Sequence, residues 1–154
     1  MIKFELLNNK DKLPYDLLLL ADETKDAIDK YVYDSDVFLA KIDENIIGVF
    51  CLFKIDDKTI ELKNIAVDEK FQSNGYGSVF IDFIKQEVKN KYEDLIVGTA
   101  DIGTRQINFY ERNGFIKFDV KKIFFVDNYK DPIIENGIQL KDMVLLKYKL
   151  YQSS

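Results

Sequence analysis

The segment from Thr59 to Tyr92 constrains the fold more than any other, because its apolar period changes across a single loop. Thr59 to Val67 reads as a strand, Gln72 to Ser78 holds two glycines, and beyond Gly77 the residues Phe80, Ile84 and Val88 recur every four positions beside Ile81 and Phe83. A period near two followed by one near 3.6 is a strand feeding a helix with one buried face. Leu95 to Ala100 reads as a strand again, which completes a β-loop-α-β unit and places the chain among α/β domains.

Elements on either side extend this unit. An opening strand is expected around Ile2 to Leu7, and Pro14 stands where the first turn of a helix tolerates it, ahead of Leu17, Leu18 and Leu20. A second helix is expected from Asp22 to Tyr33. Val37 to Ile42, Ile46 to Lys54 and Thr59 to Val67 form an antiparallel meander with turns at Asp43-Glu44-Asn45 and Asp56-Asp57-Lys58. Thr104 can cap a helix running through Arg112. Asn113-Gly114 ends it, with Gly114 left-handed and Phe115 packing back. Two strands, Ile116 to Val126 and Lys141 to Tyr151, close the chain around a loop containing Asp131-Pro132 and Asn136-Gly137. With no repeat or linker in 154 residues, one domain over 1–154 is expected, an α/β (α+β) fold around a central mixed, mostly antiparallel sheet flanked by helices.

Composition closes several routes to function. The absence of histidine and the single Cys51 exclude Ser-His-Asp and Cys-His catalysis, His/Cys zinc sites and an intrachain disulfide, and no metal is expected. Cys51, among Val49, Phe50, Leu52 and Phe53, reads as a small buried hydrophobe. With 22 Lys+Arg against 27 Asp+Glu, a net of −5, the surface disfavours nucleic acid and suits a cationic partner. The opening MIKFELLNNK lacks the apolar core of a signal peptide, and the apolar run Leu17 to Ala21 is too short for a bilayer, so a cytoplasmic, membrane-free protein is expected. Lysine far exceeds arginine, present only as Arg105 and Arg112, which suits an AT-rich bacterial genome.

A glycine loop opening a helix is a phosphate site in physical terms. Free N–H groups of the first turn point outward, the helix dipole favours negative charge, and glycines allow close approach. A Rossmann fingerprint needs a small residue where Phe80 stands, and a P-loop needs Lys directly after the second glycine, where Ser78 stands. The pattern Gln72-x-x-Gly75-x-Gly77 instead resembles the acyl-CoA pyrophosphate loop of the GNAT superfamily of N-acyltransferases. The preceding ELKNIAV, the later Asn108-Phe109-Tyr110 through Gly114-Phe115 and their spacing extend the likeness over about residues 60 to 116. The run FFVDNYKDPIIENGIQLKDMVLL is similar to a bacterial subset of that family.

Ile60 and Leu62 share one strand face while Ile65 and Val67 share the other, so the register slips near Lys63-Asn64. Either a β-bulge produces the slip or the strand is buried on both sides. The resemblance implies a bulge that splays the central strand and frees the backbone of Ile65, Ala66 and Val67 for the pantetheine arm, with Gln72, Ser73, Asn74, Gly75, Tyr76, Gly77 and Ser78 around the pyrophosphate. It implies acetyl-CoA as co-substrate and a primary amine, small molecule or peptide, as acceptor in a ternary complex. Glu61 then stands as general base, directly or through water, or as a strand glutamate paired with Lys63 or a cross-strand lysine. Tyr110 stands as the acid that protonates the departing thiolate, or as a core aromatic beside Ile107 and Phe109. Where many members carry a cofactor-binding asparagine this chain has Gly103, which leaves Asp101 or Asn108 to substitute. Asp22, Glu23, Asp26, Asp29, Asp34 and Asp36 either attract a cationic amine or form a solvated helix face. Ile123 to Val126 and Met143 to Leu146 would serve a homodimer or the core. The alternative to an enzyme is an acyl-CoA-binding sensor or assembly module without catalysis.

Overall fold

The structure is a computed structural model and describes residues 1–150. Strand β1 (Ile2–Leu6) leads into two short helices, α1 (Tyr15–Leu18) and α2 (Lys25–Asp29), followed by the meander β2 (Asp36–Ile42), β3 (Asn45–Lys54) and β4 (Thr59–Val67). Then come α3 (Tyr76–Val88), β5 (Asp94–Ala100), α4 (Thr104–Arg112), β6 (Ile116–Lys121), α5 (Phe124–Asn128), the small hairpin β7 (Ile134–Glu135) and β8 (Ile138–Gln139), and β9 (Met143–Lys149). Seven strands form one sheet in the order β1-β2-β3-β4-β5-β9-β6, antiparallel except for the β4–β5 pair. That pair is parallel because α3 returns the chain to the same sheet edge.

One face of the sheet buries Ile60, Leu62 and Leu95 against Phe80, Ile81, Ile84 and Val88 of α3 and Tyr110 of α4. The other buries Val37, Val49, Cys51 and Ala66 against Leu17, Leu18, Ile28 and Tyr31. Gly48 is required where α3 crosses: a Cβ there would lie 2.4 Å from the Phe80 ring and 2.7 Å from the Ala66 carbonyl oxygen.

Several expectations are corrected at their edges. The helix expected from Asp22 begins only at Lys25, because Thr24 Oγ1 accepts the Ala27 N–H at 3.1 Å and caps it there, and a 3-10 turn at Val32–Asp34 replaces its end. Gly103, not Thr104, is the N-cap of α4. The expected strand Ile116 to Val126 stops at Lys121: Ile123 takes φ +46, its N–H donates to Asp142 Oδ1 at 2.8 Å, and the chain turns into α5 so that Phe125 is buried. Asn136 and Gly137, both at positive φ, make the two-residue turn of the β7–β8 hairpin. Gly114 ends α4 at φ +93 with Phe115 buried behind it, as the sequence indicates. Met143 to Leu146 belongs to the core strand β9, while Ile123 and Val126 stay about half exposed. Tyr151, the expected end of the last strand, lies outside the described residues.

Candidate active site

The site begins with one extra residue. Cys51 pairs with Asn64 but Leu52 pairs with Leu62, so Lys63 is a bulge in β4. Before it, Ile60 and Leu62 face the α3 core; after it, Ile65 and Val67 do, and Asn64 and Ala66 turn toward α1 and α2. The bulge also ends the pairing with β5, which runs only from Thr59 with Asp94 to Leu62 with Val97. Gly98 to Ala100 of β5 continue with β9 alone. Backbone groups of Lys63 to Val67 directed away from β3 therefore have no strand partner, and the sheet opens into a V.

At the end of β4 the chain makes a 3-10 turn, Glu69–Phe71, and enters the glycine loop. Ser73 and Gly75 take positive φ values of 65 and 82 degrees. The loop is braced from inside: Gln72 Nε2 donates to the Val67 carbonyl at 2.9 Å, and Asn74 Nδ2 donates to the carbonyls of Phe71 and Gln72. No side chain caps α3, so the N–H groups of Tyr76, Gly77 and Ser78 face outward with no helical acceptor. A Cβ on Gly75 would meet nothing, whereas one on Gly77 would lie 3.1 Å from the Phe109 ring. Asn113 Nδ2 donates to Ser78 Oγ at 3.2 Å and ties α4 to this turn. The cradle fits a diphosphate, with backbone donors, open approach at Gly75 and a helix dipole behind it.

On the other side of the V a cleft of about 490 Å³ is walled by residues 19–23, 62–65, 97–100, the start of α4, and Phe125, Tyr129, Glu135, Leu140 and Met143. Tyr110 lines it at 7% exposure, its ring held edge-on between Phe109 and Phe115, and its hydroxyl has no hydrogen-bond partner among the described residues. Burial pushes the Tyr110 phenol well above its usual range, so it stays protonated. Glu61 is buried but does not form the wall. Its Oε1 lies 3.2 Å from Lys63 Nζ, and it is Lys63 that reaches the cleft. Asp101 and Asn108 are exposed and off the wall. Gly103 is on it, where a Cβ would meet the Ala100 carbonyl and Gln106 Oε1, each at 3.1 Å.

Of the acidic run only Asp22 and Glu23 line the cleft; Asp29 is occupied by Tyr15 and Lys25. Asp22 accepts from Tyr31 Oη at 2.9 Å, Tyr129 Oη at 2.7 Å and the Glu23 N–H at 2.7 Å. Burial, helped by that carboxylate, raises both phenols above their ordinary range. Partial burial and the charges of Glu135 and Asp22 raise the Glu23 carboxyl above the ordinary carboxylate value.

Residues 33–117 match the family described as an acetyltransferase (GNAT) domain. The chain is 35% identical over 146 residues, 94% of both proteins, to the uncharacterized N-acetyltransferase YvbK of Bacillus subtilis strain 168. The chain belongs to the GNAT acetyltransferase family. Among solved structures, a GNAT family acetyltransferase from Elizabethkingia anophelis with acetyl-CoA bound is 43% identical, covers 96% of this chain and 97% of its own, and superposes with a TM-score of 0.91. A Bacillus subtilis acetyltransferase in complex with CoA is 35% identical, with coverage of 98% and 100% and a TM-score of 0.85.

In this GNAT fold the structure brings Tyr110 and Ile65 to one cleft and the glycine loop to the far end of the same strand. It leaves Glu61 beneath the wall and Asn108 outside it. Sequence reasoning missed Gln106, Tyr129 and Glu135. The first sits on the α4 face toward the gap, a periodicity signal; the others come from the segment read as loop, where Asp131-Pro132 and Asn136-Gly137 marked turns and nothing marked a cleft.

Proposed function

We propose that the protein, as one GNAT domain, transfers the acetyl group of acetyl-CoA to a primary amine by direct attack in a ternary complex. The observation that carries this reading is the bulge at Lys63, which opens β4 from β5 between a cradle of free N–H groups and a cleft holding a protonated tyrosine. In this reading the N–H groups of Ser73 to Ser78 hold the pyrophosphate, with Gln72 bracing the loop and exposed Asn108 the remaining side-chain contact. The backbone of Ile65, Ala66 and Val67 beyond the bulge aligns the pantetheine arm, and an N–H there directed away from β3 receives the charge developing on the carbonyl oxygen.

An alkylamine with a pKa near ~10.4 must lose its proton to attack. Glu61 takes it through a water, since its carboxylate lies behind Lys63. Tyr110, kept protonated by burial, returns a proton to the departing thiolate. Purified protein mixed with acetyl-CoA and a panel of primary amines should release CoA only when amine is present, and intact-mass measurement should find no acetylated protein without acceptor. A stable acetyl-protein formed from acetyl-CoA alone would rule out direct attack.

A further inference from the structure

We propose that Lys85 is a positioning residue for the diphosphate cradle: by holding Asn113 at the end of α4 it fixes the first turn of α3, whose free N–H groups receive the cofactor. The inference rests on the reading of that turn as the CoA site. Lys85 lies two turns along α3 from Ser78, on the same face, and lines no part of the acceptor cleft. Asn113 bridges the two. Its carbonyl accepts from Lys85 Nζ, while its Nδ2 donates to Ser78 Oγ at 3.2 Å and to the Phe109 carbonyl at 2.9 Å. The turn has no such hold of its own, since no side chain caps α3 and a Cβ on Gly75, at φ +82, would meet nothing. Among the described residues, the one side-chain hydrogen bond that reaches Tyr76 to Ser78 comes from Asn113. Phe109 closes on Gly77 from the same helix, so a shift of the end of α4 would disturb the cradle at two points.

The second ground is where the ammonium has been put. It sits 3.9 Å from the centroid of the Tyr148 ring, and among the described residues no carboxylate pairs with it. Burial lowers its pKa below the ordinary lysine value, against the pull of Asp82. An ammonium drawn partly out of water with a ring and a carbonyl as its partners is held there by the end of a helix. Asn113 is the C-cap of α4, where carbonyls without helical partners gather negative partial charge. Gly114 makes room for the contact: it turns at φ +93, and a Cβ there would press on the Tyr148 ring at 3.1 Å and stand 3.7 Å from Lys85 Nζ.

The test is calorimetric titration with CoA of the parent protein, Lys85→Met, Asn113→Ala and the double variant, with urea unfolding of each to establish that it folds. Methionine keeps an apolar stem over Tyr148 and removes the charge and the donors. Lys85→Met should weaken CoA about tenfold in the parent and by no more than about twofold in the Asn113→Ala background, where the link to Ser78 is already cut. A loss of equal size in both backgrounds would mean that Lys85 meets CoA directly, and an unchanged affinity would mean that it only packs on Tyr148; either result overturns the proposal. If Asn113→Ala does not fold, Ser78→Ala cuts the same link at its other end and takes its place in the cycle. A parent protein that binds no CoA would defeat the reading of the turn itself, whereas a parent that binds CoA without this coupling would defeat the role of Lys85 alone.

Discussion

Tyr110→Phe separates chemistry from packing because the structure gives the hydroxyl and the ring different work. The ring is buried at 7% exposure and packs at centroid distances of 5.2 Å from Phe109 and 5.6 Å from Phe115. The hydroxyl makes no hydrogen bond among the described residues and faces the cleft. Phenylalanine keeps every ring contact, so the stability change should fall within about 0.5 kcal/mol, whereas Tyr110→Ala should lose about 3–5 kcal/mol by emptying a core position. If the phenol is the general acid, its removal should lower kcat by about 10²–10⁴, equivalent to roughly 2.7–5.4 kcal/mol of transition-state stabilisation. Acetyl transfer followed by CoA release, beside urea unfolding of the same preparations, reads both quantities. The Phe variant should lose kcat and kcat/KM together with an unchanged urea midpoint. A Phe variant that turns over like the parent would refute the acid assignment and return Tyr110 to the core.

Three further outcomes follow from the same coordinates. Glu61→Gln should lower kcat/KM for the amine at least about tenfold, with acetyl-CoA binding by calorimetry unchanged; an unaltered kcat/KM would make Glu61 only the partner of Lys63. Gly48→Ala should destabilise the fold by about 1–3 kcal/mol in urea, because its Cβ meets the Ala66 backbone carbonyl at 2.7 Å as well as the Phe80 ring, and an unmoved midpoint would contradict the close crossing of α3 over β3. Burial pushes the Cys51 thiol up to about 12, so a disulfide reagent near neutral pH should leave the native protein untouched and titrate one thiol in urea; rapid native labelling would mean that β3 is not the buried strand described.

The parts of the fold legible in the sequence are those where a local period and a burial requirement coincide. β4 reads from Thr59 to Val67 in both, and the helical period of Phe80, Ile84 and Val88 marks the face of α3 that meets the sheet. The phase slip of Ile60 and Leu62 against Ile65 and Val67 marks the bulge, because an inserted residue must exchange the two faces. Ile123 to Val126 misleads for the opposite reason. β-branched and aromatic residues favour a strand locally, but the hydrogen bond from the Ile123 N–H to Asp142 turns the chain there, and that partner lies 19 positions away. The cleft wall around Asp22 is illegible for the same cause: Asp22 meets Tyr129 across 107 positions, and no window of sequence contains both.

The inserted residue in β4 links these observations. Were the strand regular through Lys63, Leu62 and Asn64 would share a face, Asn64 would enter the α3 core, and its amide could reach neither the Leu18 carbonyl nor the Tyr31 hydroxyl. Pairing with β5 could then continue past Leu62, and the cleft and the unpaired backbone would vanish together. A bulge that disrupts a ladder is unfavourable locally, so its persistence needs compensation. Asn64 supplies part of it through two hydrogen bonds to the α1 side, and Lys63 another part through Glu61 and the nearby rings of Phe53 and Tyr31. Glu61 thus has a structural duty whether or not it also moves a proton. The defect in the sheet, the buried amide of Asn64 and the carboxylate paired with Lys63 are one arrangement produced by a single extra position.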